Sequence, residues 1–358
     1  MKKVYCIVSV ILLLVSMFTG CGQFAQTSST APTPAITTAP EENAEPSTAE
    51  SESVPSESTA EDVATEPVSC STVYITTDIS PAGLMAVYNA LGWEPTGKVA
   101  VKLSTGEPPA SNYLRPELIS DVVKTVNGTI VECNTAYGGS RSETAMHYQV
   151  AEDHGFTAIA DFQILDENGS MSLPVTGGTR LRENYVGAAF ADYDSYLVLS
   201  HFKVHAMAGF GGAIKNISIG LGSSEGKCWI HSGGTSMTNA WGGEQDAFLE
   251  SMAEAGKSVS DYLGSGERIV YINVMNRLSV DCDCDGNPAE PDMHDIGILA
   301  STATRWRWIR PVSTWCIASR TVNPWWNALR AATGCTPWNT PLKSVWETCN
   351  TGWLILMM

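Results

Sequence analysis

Between residues 22 and 70 the chain has no Lys or Arg at all, against nine acidic residues, and nowhere do basic residues form a run. That excludes nucleic acid as a partner, because its phosphates need a Lys/Arg footprint. With Lys+Arg 21 against Asp+Glu 38 the formal net charge is -17, which also disfavours an anionic membrane surface. No apolar run reaches transmembrane length: the stretch from Val4 to Phe18 has fifteen residues, short of the ~20 that cross a bilayer comfortably. There is no internal repeat, which excludes solenoids and propellers.

Composition divides the 358 residues into four unequal parts. In the first, 1–21, Lys2-Lys3 precede the apolar run, as in an export signal. The run meets Phe18-Thr19-Gly20-Cys21, which resembles the bacterial lipoprotein cleavage box, with Phe18 departing from the usual Leu or Val. Cys21 is then the lipidated first residue of the mature protein, and the expectation is an exported lipoprotein held to the membrane by its lipid and facing away from the cytoplasm. Residues 22–70 are Ser, Thr, Ala, Pro and Glu with almost nothing large enough to pack. They read as a disordered, self-repelling linker.

Residues 71–302 are the globular part, and 71–300 hold 28 acidic against 13 basic residues. Apolar runs alternate with amphipathic stretches, the pattern of an α/β fold, a mainly parallel sheet flanked by helices in a single domain. The runs place strands at Val73 to Thr77, Val99 to Leu103, Thr129 to Cys133, Thr157 to Asp161, Tyr196 to Ser200, Arg268 to Val274 and Ile296 to Ala300. Helices are expected at Pro81 to Leu91, Pro116 to Val126, Ser142 to His154, Ala213 to Ile219 and Gln245 to Leu263, the third opened by a capping box of Ser140 and Glu143. Ligands of such sheets sit beyond the carboxyl ends of the strands, so the post-strand segments are where chemistry is sought.

Those segments read KVAVKLSTGE (98–107), GTIVECNTAYGGSR (128–141), SHFKVHAMAGFGGAIKNISIG (200–220), SSEGKCWIH (223–231) and DCDCDGNPAEPDMHDIGILAS (281–301). In them the chain, over roughly Val73 to Thr302, resembles the uncharacterised iron-sulfur-centre proteins, the domain of unknown function family 362. The resemblance implies an α/β domain associated with a metal or iron-sulfur centre and no established reaction. Many relatives also carry a ferredoxin-type run of four cysteines, which is missing here.

The cysteines left in the domain are Cys133, Cys228, Cys282 and Cys284. Four thiolates can bind zinc or an iron-sulfur cluster, while Cys133 and Cys228 read equally as small buried apolar residues. In an extended segment Cys282 and Cys284 point the same way, and a disulfide from either to Cys133 or Cys228 is the redox alternative. The same stretch supports calcium, since Asp281, Asp283, Asp285, Gly286 and Asp292 copy the spacing of a calcium loop. Pro288 and a preceding strand argue against a true EF-hand.

His201 and His205 are four apart, on one face if the segment is helical, with Lys203 between them. Together with Lys102 they are the candidates for acid-base or catalytic work. Gly209 to Gly212, followed by Lys215 and Asn216, reads as a glycine-rich helix start, so Gly211, Gly212, Lys215 and Asn216 are the candidate cofactor- or anion-binding residues. The glycines lack dinucleotide spacing. His147 and His154 are expected on an exposed helix face.

The last part, 303–358, holds eight of the eleven tryptophans, and from 301 onward six basic residues face Glu347 alone. Neither a span nor a second core accounts for it, and a shifted reading frame does. Thr304-Arg305-Trp306-Arg307-Trp308-Ile309-Arg310 can be encoded so that the frame one base earlier reads D-P-V-A-L-D-Q, the continuation found in relatives.

The sequence thus reads as a membrane-anchored α/β lipoprotein with a metal or iron-sulfur centre at its strand-end loops, its reaction unassigned with redox as one option, and with a small anionic ligand or a redox partner. The alternative is a non-catalytic binding lipoprotein with a crevice for a small anionic ligand and a calcium-stabilised loop.

Overall fold

The segments Val99 to Lys102, Ser195 to His201 and Ile269 to Met275 are rich in β-branched and aromatic residues with almost no exposed position, as parallel strands covered on both faces require. A computed structural model describes residues 73–205, 207–278, 294–302 and 355–357, all within one unit, Thr65–Met358. In chain order the elements are β1 (Val73–Thr76), α1 (Pro81–Ala90), β2 (Val99–Lys102), α2 (Pro116–Thr125), β3 (Thr129–Glu132), α3 (Thr144–Asp153), β4 (Phe162–Ile164), β5 (Ser170–Pro174), β6 (Glu183–Gly187), β7 (Ser195–His201), β8 (Lys203–His205), β9 (Gly209–Gly211), α4 (Ala213–Ser218), α5 (Ser224–His231), α6 (Gln245–Tyr262), β10 (Ile269–Met275), β11 (Gly297–Ser301) and β12 (Ile355–Met357). Among the described residues no helix is long and apolar enough to cross a membrane.

Eight strands form one sheet in the order β12-β1-β11-β10-β7-β2-β3-β4. The run from β10 to β4 is parallel, and β11 is antiparallel to both β10 and β1. Alternation along the strands sends Val99, Val101, Leu197, Leu199, Val270 and Ile272 to one face, against Leu84 and Val87 of α1 and Ile119 and Val122 of α2. Ala100, Tyr196, Val198 and Tyr271 go to the other, against Ile214 and Ile217 of α4 and Val259 of α6. Each large apolar side chain so covered contributes roughly 1.5–3 kcal/mol. Two residues further along that second row come Lys102, Ser200 and Asn273, all buried. There the row turns from apolar to polar.

The strand order places this change at a topological switch. From β2 the chain passes outward to β3 and β4, whereas from β7 it passes the other way to β10. The segments leaving β2 and β7 therefore diverge and open a crevice at their carboxyl ends.

Several expectations are corrected. Thr157 to Asp161 is no strand: Gly155, at φ 82°, turns the chain into a 3-10 turn at Phe156–Ala158. The edge strand begins only at Phe162, set by its pairing with Ile130; a short apolar run does not by itself separate these outcomes. The capping box does not form. Glu143 is the N-cap of α3 and its side chain makes no capping bond, because the preceding loop is turned to bring Arg141 inward. The hairpins β5-β6 and β8-β9 and helix α5 were not expected from the sequence. Helix α5 is nonetheless marked by a Ser223 cap, whose Oγ accepts from Gly226 N at 3.0 Å.

Candidate functional site: the crevice at the ends of β2 and β7

Lys102 ends β2 as a side chain with 0% exposure. Its Nζ donates to the Leu103 carbonyl and, at 2.8 Å, to Asn216 Oδ1. The Asn216 amide nitrogen in turn donates to Leu199 O (3.1 Å) and Ser200 Oγ (3.0 Å), so Asn216 on α4 ties together the ends of β2 and β7. Gly220 permits this approach: a Cβ there would lie 2.2 Å from Asn216 O and 2.9 Å from Lys102 Nζ. Burial lowers the Lys102 ammonium to about 8, opposed chiefly by the charge of Glu132 and assisted by those of Lys227 and Arg141.

Glu132 ends β3 as Lys102 ends β2. One carboxylate oxygen accepts from Arg141 Nη1 at 2.9 Å. The other accepts from Thr105 N (2.9 Å) and Thr105 Oγ1 (2.7 Å) and faces His147 Nε2 at 3.1 Å. Arg141 also reaches Glu107 at 2.8 Å, Ser104 Oγ at 3.2 Å and Tyr137 OH at 3.1 Å. Burial alone would raise the Glu132 pKa, but Arg141 first, then His147 and Lys102, hold it well below the ordinary carboxylate range. The loops after β2 and β3 are thus fastened to each other by a buried cluster of Arg141 with Glu107 and Glu132.

The opposite wall carries Lys227 and three imidazoles. Lys227 of α5, only 6% exposed, gives its Nζ to the Gly222 carbonyl at 2.5 Å. His231, one turn further on, donates from Nδ1 to the Lys227 carbonyl (2.7 Å) and stacks on Phe248 at 4.8 Å; burial lowers its pKa to about 4. His201 donates from Nε2 to Asn276 O at 2.7 Å, and burial, helped by the charge of Lys203, lowers it to about 3. Both imidazoles are therefore neutral at neutral pH. His205 Nδ1 accepts from the backbone N–H groups of Met207 and Ala208, which assigns its proton to Nε2.

The crevice so formed measures about 720 Å³, and the described residues lining it include Lys102, Arg141, Lys203, Lys215 and Lys227 together with Glu107 and Glu132. Both acids are engaged by Arg141. Lys102 and Lys227, in contrast, have only carbonyl and amide oxygens as hydrogen-bond partners. Buried ammonium groups without a carboxylate of their own are costly, and such a pair can draw an anion into the crevice.

Of the candidates from sequence, Lys102, His201, Lys203, His205, Gly211, Gly212, Lys215, Asn216 and Cys133 all border this crevice. Two local expectations fail. His201 and His205 lie on strands, not on one helix face, and Gly209–Gly211 is β9 in a hairpin with β8, leaving only Gly212 as the residue before α4. His147 is not on an exposed face but fully buried between Glu132 and Asn134. His154 is partly buried, bonded to Thr105 O at 2.8 Å and stacked on Tyr113 at 4.2 Å. Sequence reasoning missed Glu107, Glu132, Arg141, Lys227 and His231. The available signal was a charged residue ending a strand otherwise buried on both faces, which Glu132 shares with Lys102.

Of the four thiols expected at a metal, Cys133 and Cys228 lie among the described residues. Cys133 donates its S–H to Leu221 O at 3.3 Å, and burial pushes that thiol up to about 12. Cys228 lies buried on α5, with its pKa also raised by burial. Both are free of disulfides. No three His, Cys, Asp or Glu side chains converge on a metal position among the described residues. Cys282, Cys284 and the aspartates of the calcium-like loop lie outside the described residues, as does Cys21.

A family model, Domain of unknown function (DUF362), matches residues 99–304, more than half of the chain. The chain belongs to this family. The DUF362 match spans the crevice from β2 to β11. Nothing among curated proteins matches the chain. Among solved structures, the lactate racemase apoprotein from Thermoanaerobacterium thermosaccharolyticum is similar at 16% identity and a TM-score of 0.36, over 56% of this chain and 50% of that one. A structural-genomics protein from Thermotoga maritima is similar at 10% identity and a TM-score of 0.37, over 71% of this chain and 58% of that one. The chain thus spans between half and three fifths of the length of these two structures.

Proposed function

We propose that this DUF362 protein is a surface-tethered binding protein whose crevice at the ends of β2 and β7 holds a small anionic ligand. The observation that carries the reading is the pair Lys102 and Lys227, two buried ammonium groups with only neutral hydrogen-bond partners on one crevice of a chain whose net charge is -17. A bound anion supplies the missing counter-charge. Lys203, His205 and Lys215 line the same crevice, and the Arg141 cluster fastens the loops after β2 and β3 to each other. Tethering rests on the apolar run, the Gly20-Cys21 junction and the spacer 22–70. Titration of the full chain with inorganic phosphate at low ionic strength is the test. Saturable binding, weakened by salt and lost in Lys227→Met, is expected; absence of saturable binding, or binding indifferent to Lys227→Met, overturns the reading.

A zinc or iron-sulfur centre with redox chemistry is a second reading, favoured by Cys133 on the crevice wall. It needs Cys282 and Cys284 to join that thiol. Metal analysis of anaerobically purified protein decides it. Iron with sulfide, or stoichiometric zinc, that falls in Cys282→Ser and Cys284→Ser but not in Asp283→Asn is the expected pattern; equal metal in all of them eliminates thiolate ligation.

A further inference from the structure

The large apolar side chains left exposed among the described residues are Met146, Trp241 and Tyr262, and of these Trp241 alone borders the crevice. Its indole is 60% exposed. The backbone that carries it is nevertheless fixed. Trp241 N donates to Asn239 Oδ1 at 3.0 Å, and Asn239 N donates to Ser236 Oγ at 3.0 Å. On the other side Gly243 lies so close to α5 that a Cβ would stand 2.7 Å from the His231 carbonyl oxygen. Gly242, at φ 85°, makes the turn between these two anchors. A flat, apolar shelf is thereby held beside α5, the helix that carries Lys227.

Size adds a second constraint. A crevice of about 720 Å³ falls in the ~300–1,000 Å³ range of sites that enclose cofactor- or drug-sized ligands, and an inorganic anion would leave most of it to water. Cationic groups at one place and an exposed indole at another call for a ligand with a charged end and a flat end, since an aromatic face is covered best by another π-system.

We infer that the crevice takes an organic anion bearing an aromatic ring system, in class a nucleoside phosphate, with the phosphate on the lysines and the base stacked on Trp241. The inference rests on the anion-binding reading and specifies its ligand. Base–aromatic stacking is sequence-tolerant and weakens binding by roughly tenfold or more when the ring is removed.

The test is equilibrium titration of the full chain, wild type, Trp241→Phe and Trp241→Ala, with AMP, adenosine and inorganic phosphate. AMP is expected to bind at least about tenfold more tightly than phosphate, with adenosine weaker than AMP. Trp241→Ala should lose about tenfold for AMP and nothing for phosphate, and Trp241→Phe should keep most of the AMP affinity. Phosphate and AMP binding equally, or Trp241→Ala leaving AMP unaffected, overturns the inference while the anion site stands. Failure of phosphate and AMP alike overturns both.

Discussion

Lys102→Met removes a buried ammonium whose pKa stands at about 8 against an ordinary 10.5. At 1.36 kcal/mol per unit, that depression corresponds to roughly 3 kcal/mol of unfavourable burial of the charge. The sign follows from which state holds the proton. Below pH 8 folded and unfolded chains both carry it, so the full cost is present. Between about 8 and 10.5 the unfolded chain binds more protons, so stability rises with pH and the cost is relieved. Urea unfolding at a series of pH values, wild type against Lys102→Met, isolates this group because the remaining titrations are shared. The wild-type stability relative to the variant should climb by about 3 kcal/mol from pH 7.5 to 10.5. A flat difference, or one that falls with pH, would refute the assignment of a charge destabilised by burial at this position.

Arg141→Met should destabilise the fold by roughly 3–5 kcal/mol in thermal or urea unfolding, since it strands Glu107 and Glu132 in the interior. It should also flatten the loss of stability below pH 5, because the depressed Glu132 carboxyl stabilises the fold above the ordinary carboxylate range and that contribution fades as pH falls. Cys21→Ala should abolish detergent-phase partitioning of the exported protein; continued membrane attachment would defeat the lipid anchor. Resequencing the gene around the codons for Thr302 to Thr304 should reveal a missing or extra base that restores a D-P-V-A-L-D continuation. An intact frame with a protease-resistant tail would mean the tryptophan-rich segment is genuine.

Legibility differed by element. The central strands could be read because Leu197 to Leu199 and Val270 to Ile272 are continuous apolar runs that only burial on both faces explains. The position of the crevice followed from the rule about strand ends, and Lys102, Lys203, Lys215 and Asn216 were named on that basis. What failed was local geometry. The spacing of His201 and His205 is compatible with a helix, but β7 extends through His201 and a hairpin follows. His147 sits in an amphipathic helix whose sequence does not disclose that Glu132, fifteen residues earlier, waits behind it. Long-range ion pairs such as Arg141 with Glu107 leave no periodic trace, so the cluster that shapes the site was invisible until the loops were placed.

The central claim is that a bound anion compensates buried ammonium groups, and proton uptake on binding measures this directly. Calorimetric titration of the full chain with phosphate at pH 8, where phosphate is already dianionic, is to be run in two buffers of different ionisation enthalpy. Because Lys102 is half-protonated near pH 8 in the free protein and an adjacent anion restores its pKa, binding at pH 8 should take up about half a proton, and this uptake should be lost in Lys102→Met. Binding without proton uptake, with proton release, or no binding at all would contradict the account.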